Sequence, residues 1–522
     1  MKLLEILSPK GSQLPEGLLD NKNYVVIEQF NKTRPLNFGL IGVDNELTNN
    51  IEFSKQNWSK IKLSVEKLQS RIYRASRSNN FKTVNKLQDL MIRSHESKLL
   101  AIWQITHVNK GRKTPGVDEY LPKNNIELNI LYNQINFKNY SPIPVKRIYI
   151  PKPNGKLRPL GIPSIMDRIM QLIVKFALEP EWEAKFEPNS YGFRPGRCTM
   201  DAICAIWKVS KGTSWFLDAD ITGCFDNISH DSLLQRIPKF ASIIRLWLKS
   251  GYLEYDKYHN TDAGTPQGGV ISPLLANIAL DGLERLFGCF NSRGNYSKPR
   301  DKGSLNKRIS LIRYADDFVV SAPDKERIEQ YILPKISLFL KERGLSLNLE
   351  KPRIVHLSDG FDFLGFTIRK FKNKLITQPK SDNIKRMMDK VRKLLDQYRS
   401  MKTVALITKL KPIFRGWANY YRYCNASKTF SKIDHLFWLC IYPWCVRRHP
   451  NKGKRWIVQK YFHTIGNNHW VFGELVKLKS GKSVLYYLPK MAWTTIERFV
   501  QVRILTSPFD RTQASYWIQK RK

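Results

Sequence analysis

Two adjacent aspartates interrupt an otherwise apolar run, and this feature constrains the fold more than any other. Residues 311–322 read LIRYADDFVVSA, with Asp316 and Asp317 at the centre. Neighbouring carboxylates cannot sit in the middle of a buried strand without a large desolvation cost, so the chain must turn there. The run therefore predicts a β-hairpin whose tip keeps both acids within reach of solvent. Taken alone, a Tyr-x-Asp-Asp tetrapeptide is also compatible with an ordinary Asp-containing turn.

A second strand-like segment also ends in acids. Residues 216–226 read FLDADITGCFD, in which an apolar strand reaches Asp220 just before a glycine turn. Side by side, the two strands would bring Asp220 to Asp316 and Asp317, and such a negative pocket requires divalent cations. Hard oxygen ligands favour Mg²⁺. A pair of such ions would activate an attacking hydroxyl and stabilise a leaving pyrophosphate.

Positive charge is concentrated in the C-terminal third of the chain. The 522 residues carry a formal net charge of +42, and residues 371–522 hold 32 of the 87 basic residues but only 7 of the 45 acidic ones. A general solubility surplus does not explain this imbalance, because such a surface repels itself unless it binds a polyanion. Nucleic acid is the expected partner. The aromatic residues interleaved with these bases suit base stacking, although most of the rings are expected to be core.

Length and composition exclude several classes of protein. The chain is too long for one ordinary core, and its 42% hydrophobic content is incompatible with a largely disordered protein. No window of 18 uninterrupted apolar residues occurs, so we expect no membrane span. The seven cysteines form no regular framework, which favours a reducing compartment. The N-terminus is not typical of a signal or transit peptide, so a protein that works in an organelle would be made there.

Several further motifs occur in a fixed order and carry a family resemblance. They are NKGRKTPGVD (109–118), YIPKPNGKLRPLGIP (149–163), SYGFRP (190–195), GTPQGGVISPLL (264–275), FDFLGF (361–366) and KPIFRGWANYY (411–421). Together with the two acidic segments, they make the chain resemble a reverse transcriptase, and within that class the group II intron-encoded proteins, which combine polymerase and maturase roles. The similarity covers roughly residues 56–475.

The resemblance assigns a metal site and a sugar gate. It implies that Asp220, Asp316 and Asp317, with the backbone carbonyl of Ile221, bind two Mg²⁺ ions. It also places Phe225 where a ring excludes a ribose 2′-hydroxyl, so that deoxynucleotides are the expected substrate. A core phenylalanine is the alternative interpretation of Phe225.

The resemblance further assigns contacts to the incoming dNTP and the template. Lys156 and Arg158 match a fingers hairpin that binds the triphosphate, with arginine suited to forked contacts. Gln267 and Gly268 match a loop that approaches nucleotide and template closely. Lys351 lies near a basic position that can protonate the leaving pyrophosphate. Because Pro352 replaces the polar residue usual there, simple phosphate binding by Lys351 is an equal alternative.

Two groups of residues are candidates for RNA binding. The first lies on a helix predicted after Pro412 and the second in a basic flank. The candidates are Arg415, Trp417, Tyr420 and Tyr421 in the first group and Arg447, Arg448, Lys454 and Arg455 in the second. Some of the rings must pack against the rest of the protein, and the sequence does not sort them.

These features predict an α+β right-hand polymerase with fingers and palm, followed by an all-helical basic thumb or maturase domain. The expected divisions are an N-terminal extension (1–55), a helical N-terminal region (56–125), fingers and palm (126–370), thumb/maturase (371–475) and a basic C-terminal segment (476–522). The expected partners are group II intron RNA, an RNA template with a DNA primer, and dNTPs, without a membrane. No paired-cysteine or His-Asn-His cluster follows residue 449, so we expect no second-strand cleavage of DNA.

Two other functions stay open on the sequence alone. One is a splicing cofactor whose polymerase is vestigial, although the three acids that such proteins usually lose are present. The other is a free-standing bacterial reverse transcriptase, against which the Arg415-Gly416-Trp417 block argues. The expected location is an organelle, with a plastid ahead of a mitochondrion or a bacterial cytoplasm.

Overall fold

The computed structural model describes residues 51–151, 155, 157–287, 308–348, 353–478 and 480–521. Lys156, Lys351 and most of the N-terminal extension lie outside the described residues. Within the described ranges, no helix combines the length and the apolar character that crossing a bilayer would require.

Helices and strands are mixed along the chain, as predicted for an α+β protein. The helices are α1 (Trp58–Arg77), α2 (Phe81–Arg93), α3 (His95–Trp103), α4 (Asn125–Gln134), α5 (Ile165–Glu183), α6 (Thr199–Val209), α7 (Cys224–Asn227), α8 (His230–Arg236), α9 (Ala241–Leu248), α10 (Ser272–Leu280), α11 (Lys325–Arg327), α12 (Leu333–Lys341), α13 (Ser381–Gln397), α14 (Thr403–Tyr421), α15 (Ser427–Arg447), α16 (Lys454–Tyr461) and α17 (Ala514–Arg521). The strands are β1 (Val145–Pro151), β2 (Leu157–Ile162), β3 (Trp215–Ala219), β4 (Tyr252–Glu254), β5 (Lys257–His259), β6 (Ser310–Tyr314), β7 (Asp317–Ala322), β8 (Arg353–His356), β9 (Phe361–Phe363), β10 (Phe366–Phe371), β11 (Lys374–Pro379), β12 (Phe462–Ile465), β13 (Asn468–Lys477) and β14 (Ser483–Tyr487).

The N-terminal helices α1 to α3 pack against the long helix α5. Side chains of asparagine or serine cap the helix starts; the Asn57 and Ser94 side chains, for example, accept hydrogen bonds from backbone amides in the first turns of α1 and α3. Such caps satisfy amides that the helix itself leaves without partners. The apolar faces of these helices are buried, and the helices lie within the predicted helical N-terminal region (56–125).

A small sheet at the N-terminal side of the molecule has the strand order β2-β1-β4-β5. Strands β1 and β2 form the antiparallel hairpin that the sequence predicts around the Asn-Gly turn, with Ile150 opposite Arg158. Strand β4 joins β1 in parallel through Val145 and Tyr252. This sheet corresponds to the predicted fingers.

The central sheet has the strand order β6-β7-β3-β8 and is antiparallel throughout. Its side chains alternate between two hydrophobic cores. Leu217 and Phe318 belong to the core shared with the N-terminal helices. Phe216 and Val319 belong to the core shared with the C-terminal helices. These strands are therefore covered on both faces, and Asp316 and Asp317 lie at the end of the sheet.

The C-terminal third differs in part from the prediction. Strands β9 to β11 form a three-stranded sheet, and residues 381–461 are helical as expected. Strands β12 to β14 then form a further antiparallel sheet. The prediction of an all-helical thumb/maturase domain over residues 371–475 is therefore wrong for β11 and for residues 462–475. The cause is local: Gly466 adopts a φ of +55° between β12 and β13, and Val471 and Phe472 fill the core from β13.

Candidate active site

The predicted hairpin is present, and its tip is a two-residue turn. Tyr314 pairs with Asp317, which leaves Ala315 and Asp316 as the turn residues. Ala315 is buried with a φ of +59°, a left-handed conformation that costs free energy for a residue with a Cβ. Asp316 is half-buried and Asp317 is exposed at the start of β7. The turn therefore presents two carboxylates in different surroundings.

Asp220 lies next to this turn. Strand β3 ends at Ala219, which faces Phe318 on β7, so the following residue lies beside the hairpin tip. Burial raises the pKa of Asp316 above its ordinary value, and the Asp220 carboxylate raises it further. The buried Cys224 thiol adjoins both acids: burial raises its pKa to about 12, with additional effects from Asp316 and Asp220. The structure thus brings the carboxylates of Asp220 and Asp316 together.

The backbone of Ile221 is oriented toward the same place. Ile221 forms an isolated antiparallel bridge with Leu347. The hydrogen bonds of this bridge come from its neighbours: the Thr222 amide donates to the Ser346 carbonyl (3.0 Å), and the Asn348 amide donates to the Asp220 carbonyl (2.9 Å). In such a pair, the bridging residue's own carbonyl faces away from its partner. The Ile221 carbonyl therefore faces away from Leu347, on the side where β7 lies.

These groups suit a hard divalent cation. Among the described residues, no three His, Cys, Asp or Glu side chains are grouped so that they alone could hold a metal ion. Mg²⁺ does not require one, because it usually takes one or two carboxylates and completes its shell with water and substrate phosphates. Burial and, after it, the neighbouring Asp220 carboxylate raise the pKa of Asp316, and a bound cation would favour the ionised form of both acids.

The fingers hairpin supplies a positive charge to this site. Arg158 is exposed on β2 and is close enough to lower the pKa of Asp316, against the effect of burial. Gly155 takes the turn of the hairpin with a φ of +80°. The predicted partner Lys156 lies outside the described residues.

The loop that contains Gln267 and Gly268 is pinned between fingers and palm. The Gly161 amide of β2 donates to the Gln267 carbonyl (2.7 Å), and the Thr265 amide donates to the Phe225 carbonyl (2.6 Å). Gly268 has a φ of +120°, and a Cβ there would stand 2.5 Å from the Gly161 carbonyl oxygen. Only glycine allows this approach. The predicted sugar gate, the fingers hairpin and this loop are thus one connected unit.

Phe225 is half-buried and is not a fully buried core residue. Its ring makes an edge contact with the exposed ring of Phe193, at 6.1 Å between centroids. Phe225 also lines a cavity of about 350 Å³ between the fingers sheet and the loop, together with Arg147 and Tyr252. The Arg147 guanidinium lies 3.8 Å above the Tyr252 ring.

The aromatic residues of α14 pack inward. Tyr421 is 3% exposed, and its hydroxyl donates to the Gly365 carbonyl (3.0 Å). The Tyr420 hydroxyl donates to the Leu364 carbonyl (2.8 Å). Trp417 is half-buried against Tyr421, at 4.2 Å between ring centroids. In this arrangement the Tyr421 ring cannot stack on a base. Tyr420 and Tyr421 instead hold the Phe361–Phe366 segment against the helix.

The predicted basic residues divide differently. Arg415, Arg447, Lys454 and Arg455 are exposed. Arg448, in contrast, donates hydrogen bonds to the carbonyls of Arg399 and Met401 and lies 4.5 Å above the Trp444 ring. Arg448 therefore ties α15 to the loop after α13, and the other four remain available to a polyanion.

A buried network behind the hairpin was not identified from the sequence. The Arg313 guanidinium donates to the Asn277 side chain and to the Ala315 carbonyl, both at 3.0 Å. The Asn277 amide in turn donates to the Gly192 carbonyl (2.9 Å). Arg313 is 1% exposed. The signal was available, because a charged residue inside an apolar strand must have a partner when the strand is buried.

Buried acids surround the same network. Burial raises the pKa of Glu187 and of Asp281, and it raises the pKa of Glu284 to about 8, with Glu187 contributing. Glu284 accepts hydrogen bonds from the Asn189 amide (3.1 Å) and side chain (2.7 Å). These groups lie just before the SYGFRP segment and on the turn after α10. The Arg313 amide of β6 donates to the Asn189 carbonyl (2.9 Å), so they brace the hairpin from behind.

Comparisons with known proteins agree with this arrangement. A family model for reverse transcriptase (RNA-dependent DNA polymerase) matches residues 150–368, and one for the N-terminal domain of reverse transcriptase matches residues 53–134. The fold and the site thus define a reverse transcriptase, and the predicted fold class is confirmed. A third model, for the group II intron maturase-specific domain, matches residues 384–462.

Curated relatives extend the similarity to most of the chain. The group II intron-encoded protein LtrA of Lactococcus lactis is 29% identical over 472 residues, which are 74% of this chain and 78% of LtrA. Protein YkfC of Escherichia coli is 35% identical over 50% of this chain and 77% of its own length. Maturase-like protein 1 of Euglena longa is 26% identical over 75% of this chain and 80% of its own length. The chain belongs to the group II intron-encoded proteins, in which an RNA-directed DNA polymerase is joined to a maturase domain.

The family has two direct consequences. Reverse transcriptases depend on a divalent cation. The two domains imply binding of a template with its primer and of intron RNA. Both predictions are confirmed at this level.

Proposed function

We propose that Asp220, Asp316 and Asp317, with the carbonyl of Ile221, bind two Mg²⁺ ions for the synthesis of DNA on an RNA template. One observation carries the proposal: β3 and the β6–β7 hairpin bring Asp220 beside Asp316, and Arg158 of the fingers reaches the same place. When bound, the ions supply activation of the primer 3′-hydroxyl and stabilisation of the leaving pyrophosphate.

The chain's own residues would then select and orient the substrate. Arg158, with Lys156, supplies forked and point-charge contacts to the triphosphate. Phe225 excludes the 2′-hydroxyl, which its half-buried ring beside a cavity supports. Gln267 and Gly268 hold nucleotide and template against β2, since their loop is fixed to Gly161. Lys351 either protonates the leaving pyrophosphate or binds phosphate.

The maturase domain would bind the host intron RNA and assist its splicing and mobility. Exposed Arg415, Arg447, Lys454 and Arg455 support RNA-phosphate contacts. The proposed divisions at residues 55, 125, 370 and 475 remain as predicted from the sequence. We further propose an organellar location, with a plastid first; the relatives occur in bacteria and in a euglenoid, which is compatible with an organellar or a bacterial setting.

Primer extension tests the metal site. Wild-type protein, with Mg²⁺ and dNTPs on an RNA template, should extend a DNA primer, whereas Asp220→Ala and Asp316→Ala should lower kcat by about 10³-fold or more. Both variants should bind intron RNA as wild type does, because they remove no RNA contact. Asp359→Ala, which removes an exposed aspartate after β8, is the matched control.

The outcomes separate the two functions. Extension by the Asp316→Ala variant would show that the metal assignment is wrong. If folded, RNA-binding wild-type protein gives no extension, the maturase-only function with a vestigial polymerase would replace this proposal.

A further inference from the structure

The segment after β14 runs from the maturase helices to α6 and the SYGFRP segment. The amides of Met491 and Ala492 donate to the Asp434 side chain on α15 (2.8 and 2.9 Å). The Glu497 amide donates to the Arg422 carbonyl at the end of α14 (3.0 Å). We call residues 488–521 the C-terminal strap. These hydrogen bonds anchor its first part to α15 and to the end of α14.

The strap then makes polar contacts with the helix α6 region. The Gln501 side-chain amide donates to the Tyr191 hydroxyl and to the Asp201 carbonyl, both at 3.0 Å. The Val502 amide donates to the Asp201 carboxylate (2.7 Å). Asp201 is fully buried, and its second oxygen accepts from the Cys198 amide at the start of α6 (2.9 Å). These contacts join chain positions about 300 residues apart.

Apolar packing reinforces this attachment. Trp517 on α17 is 5% exposed, and its indole nitrogen donates to the Ser507 carbonyl (2.9 Å). A Cβ on Gly196 would stand 2.6 Å from the Trp517 ring and 2.8 Å from Pro508. The strap therefore packs closely against Gly196, the residue directly after the SYGFRP segment.

Tyr191 connects the strap to the hairpin that carries Asp316. The Tyr191 amide donates to the Arg313 carbonyl on β6 (2.9 Å). The next residue, Gly192, lies directly against the turn: a Cβ there would stand 2.2 Å from the Ala315 nitrogen. The left-handed conformation of Ala315 persists only if its surroundings hold it, and Gly192 and Arg313 are those surroundings.

A purely structural role for the strap would not require this particular path. The apolar contacts of Trp517 already bury the segment. One of the two Gln501 hydrogen bonds goes to the Tyr191 hydroxyl. The backbone of Tyr191 and Gly192 in turn contacts β6 at Arg313 and the start of the turn at Ala315. Removing Gln501 leaves the Tyr191 hydroxyl with one partner, the Asn189 side chain (3.1 Å), and breaks its link to the strap.

We propose that Gln501 of the C-terminal strap is a positioning residue for the polymerase, which fixes the Ala315–Asp316 turn through Tyr191. This role rests on the proposed function of Asp316. It couples the maturase side of the chain to the geometry of the polymerase site, because the strap is anchored on α14 and α15 at its other end.

A double-mutant cycle tests this role with the full-length protein. Primer extension is measured for Gln501→Ala, Tyr191→Phe and the double variant, with the Mg²⁺ dependence of kcat. Each single variant should lower kcat by about tenfold and raise the Mg²⁺ concentration for half-maximal rate, with KM for dNTP within about twofold of wild type. The double variant should be no slower than either single one, since both remove the same link.

Val500→Ala is the matched control, because its side chain is 69% exposed beside Gln501. It should leave kcat and the Mg²⁺ dependence unchanged. Melting temperatures confirm that each variant is folded at the assay temperature, and Tyr191→Phe, which only removes a hydroxyl, stands in if Gln501→Ala unfolds.

The results discriminate between two kinds of failure. Normal kcat in folded Gln501→Ala and Tyr191→Phe, or effects that multiply in the double variant, would overturn the positioning role while wild-type extension upholds the proposed function. Absence of extension by the wild type would remove the proposed function and, with it, this role.

Discussion

At the scale of single residues, the environment of each carboxylate differs although the sequence shows only a row of aspartates. Asp316 lies in the turn, where burial and the nearby Asp220 carboxylate disfavour its negative charge. Asp317 is exposed at the start of β7. The difference arises because one residue lies within the two-residue turn and the other in the strand. A cation at this place would interact most strongly with the acid that is least solvated.

Phe225 provides a test of sugar selection. Replacing its ring with a methyl group in Phe225→Ala opens the cavity beside it, so ribonucleotides should be incorporated more readily. We expect the ratio of kcat/KM for rNTP to that for dNTP to rise on the order of 10- to 200-fold. Single-nucleotide primer extension with each nucleotide measures this ratio.

Phe371→Ala, which truncates an exposed ring at the end of β10, is the control and should leave the ratio unchanged. If sugar discrimination is the same in Phe225→Ala as in wild type, Phe225 is a core residue that braces Phe193 and has no gating role.

At the scale of elements, close backbone packing positions the β6–β7 hairpin. Gly192→Ala would place a Cβ against the Ala315 nitrogen, so the β6–β7 turn must shift. We expect a loss of about 1–3 kcal/mol in stability, as for overpacked sites. Primer extension should fall much more than intron RNA binding, because the shift occurs at Asp316.

Gly416→Ala is the matched comparison on helix α14. A Cβ there meets no atom within 4 Å, and the residue lies inside a helix. The substitution should stabilise the protein by about 0.5–1 kcal/mol, because alanine loses less backbone entropy than glycine in a helix. Thermal melts of both variants measure the two changes. Equal stability of Gly192→Ala and wild type would contradict the close packing at the turn.

The buried acid Glu284, behind the β6–β7 hairpin, should make the stability of the folded protein depend on pH. Its pKa in the folded protein is raised from 4.5 to about 8, chiefly by burial. The folded state therefore binds more protons than the unfolded state between these values, and stability falls as pH rises through that window. Glu284→Gln removes the titration and keeps one acceptor for Asn189.

We expect the wild-type melting temperature to fall by about 2–4 °C more than that of Glu284→Gln between pH 6 and pH 9. Calorimetry at several pH values measures this difference, and the exposed Glu326→Gln is the control. Parallel pH profiles of wild type and Glu284→Gln would show that Glu284 is ionised in the folded protein at neutral pH.

At the scale of the whole molecule, the features that local sequence patterns predict are present, whereas the features that depend on long-range contacts were not predicted. The two acidic strands and the fingers hairpin follow from local periodicity and turn residues, and the structure contains them. The helix predicted after Pro412 is also present, although it begins earlier, at Thr403, with Pro412 inside it. The charge of Arg313 inside an apolar strand signals that it needs a buried partner, but the sequence does not show which one, because Asn277 lies 36 residues earlier on α10. The inward packing of Tyr421 depends on Gly365, 56 residues earlier, and no local pattern encodes it.

The contacts of the C-terminal strap are even harder to predict from local sequence patterns. Residues 476–522 have the composition of a basic tail, yet Val502 and Trp517 are 5% exposed. Their partners, Asp201 and Gly196, lie about 300 residues earlier. A single sequence gives no period or spacing that would relate these positions. Removing residues 371–522 would consequently expose the core that α6 and the central sheet share with them.

The charge of the C-terminal third is therefore best tested by substitution in the intact chain. Exchanging the four exposed bases Arg415, Arg447, Lys454 and Arg455 for glutamine keeps the core and removes four charges. If each contacts a phosphate, the plot of log Kd for intron RNA against log salt should become shallower by about 0.7–0.9 per contact, or about three in all. Filter binding at several salt concentrations measures this slope.

A charge-matched variant separates local contacts from the overall field. It carries glutamine at four exposed lysines of the central region, Lys211, Lys249, Lys325 and Lys341, so that its net charge equals that of the first variant. Its slope should stay close to that of wild type, because a lysine away from the RNA releases no counterion from a phosphate. Equal slopes for the two variants would mean that the whole +42 field attracts the RNA and that α14 to α16 contain no defined phosphate contacts.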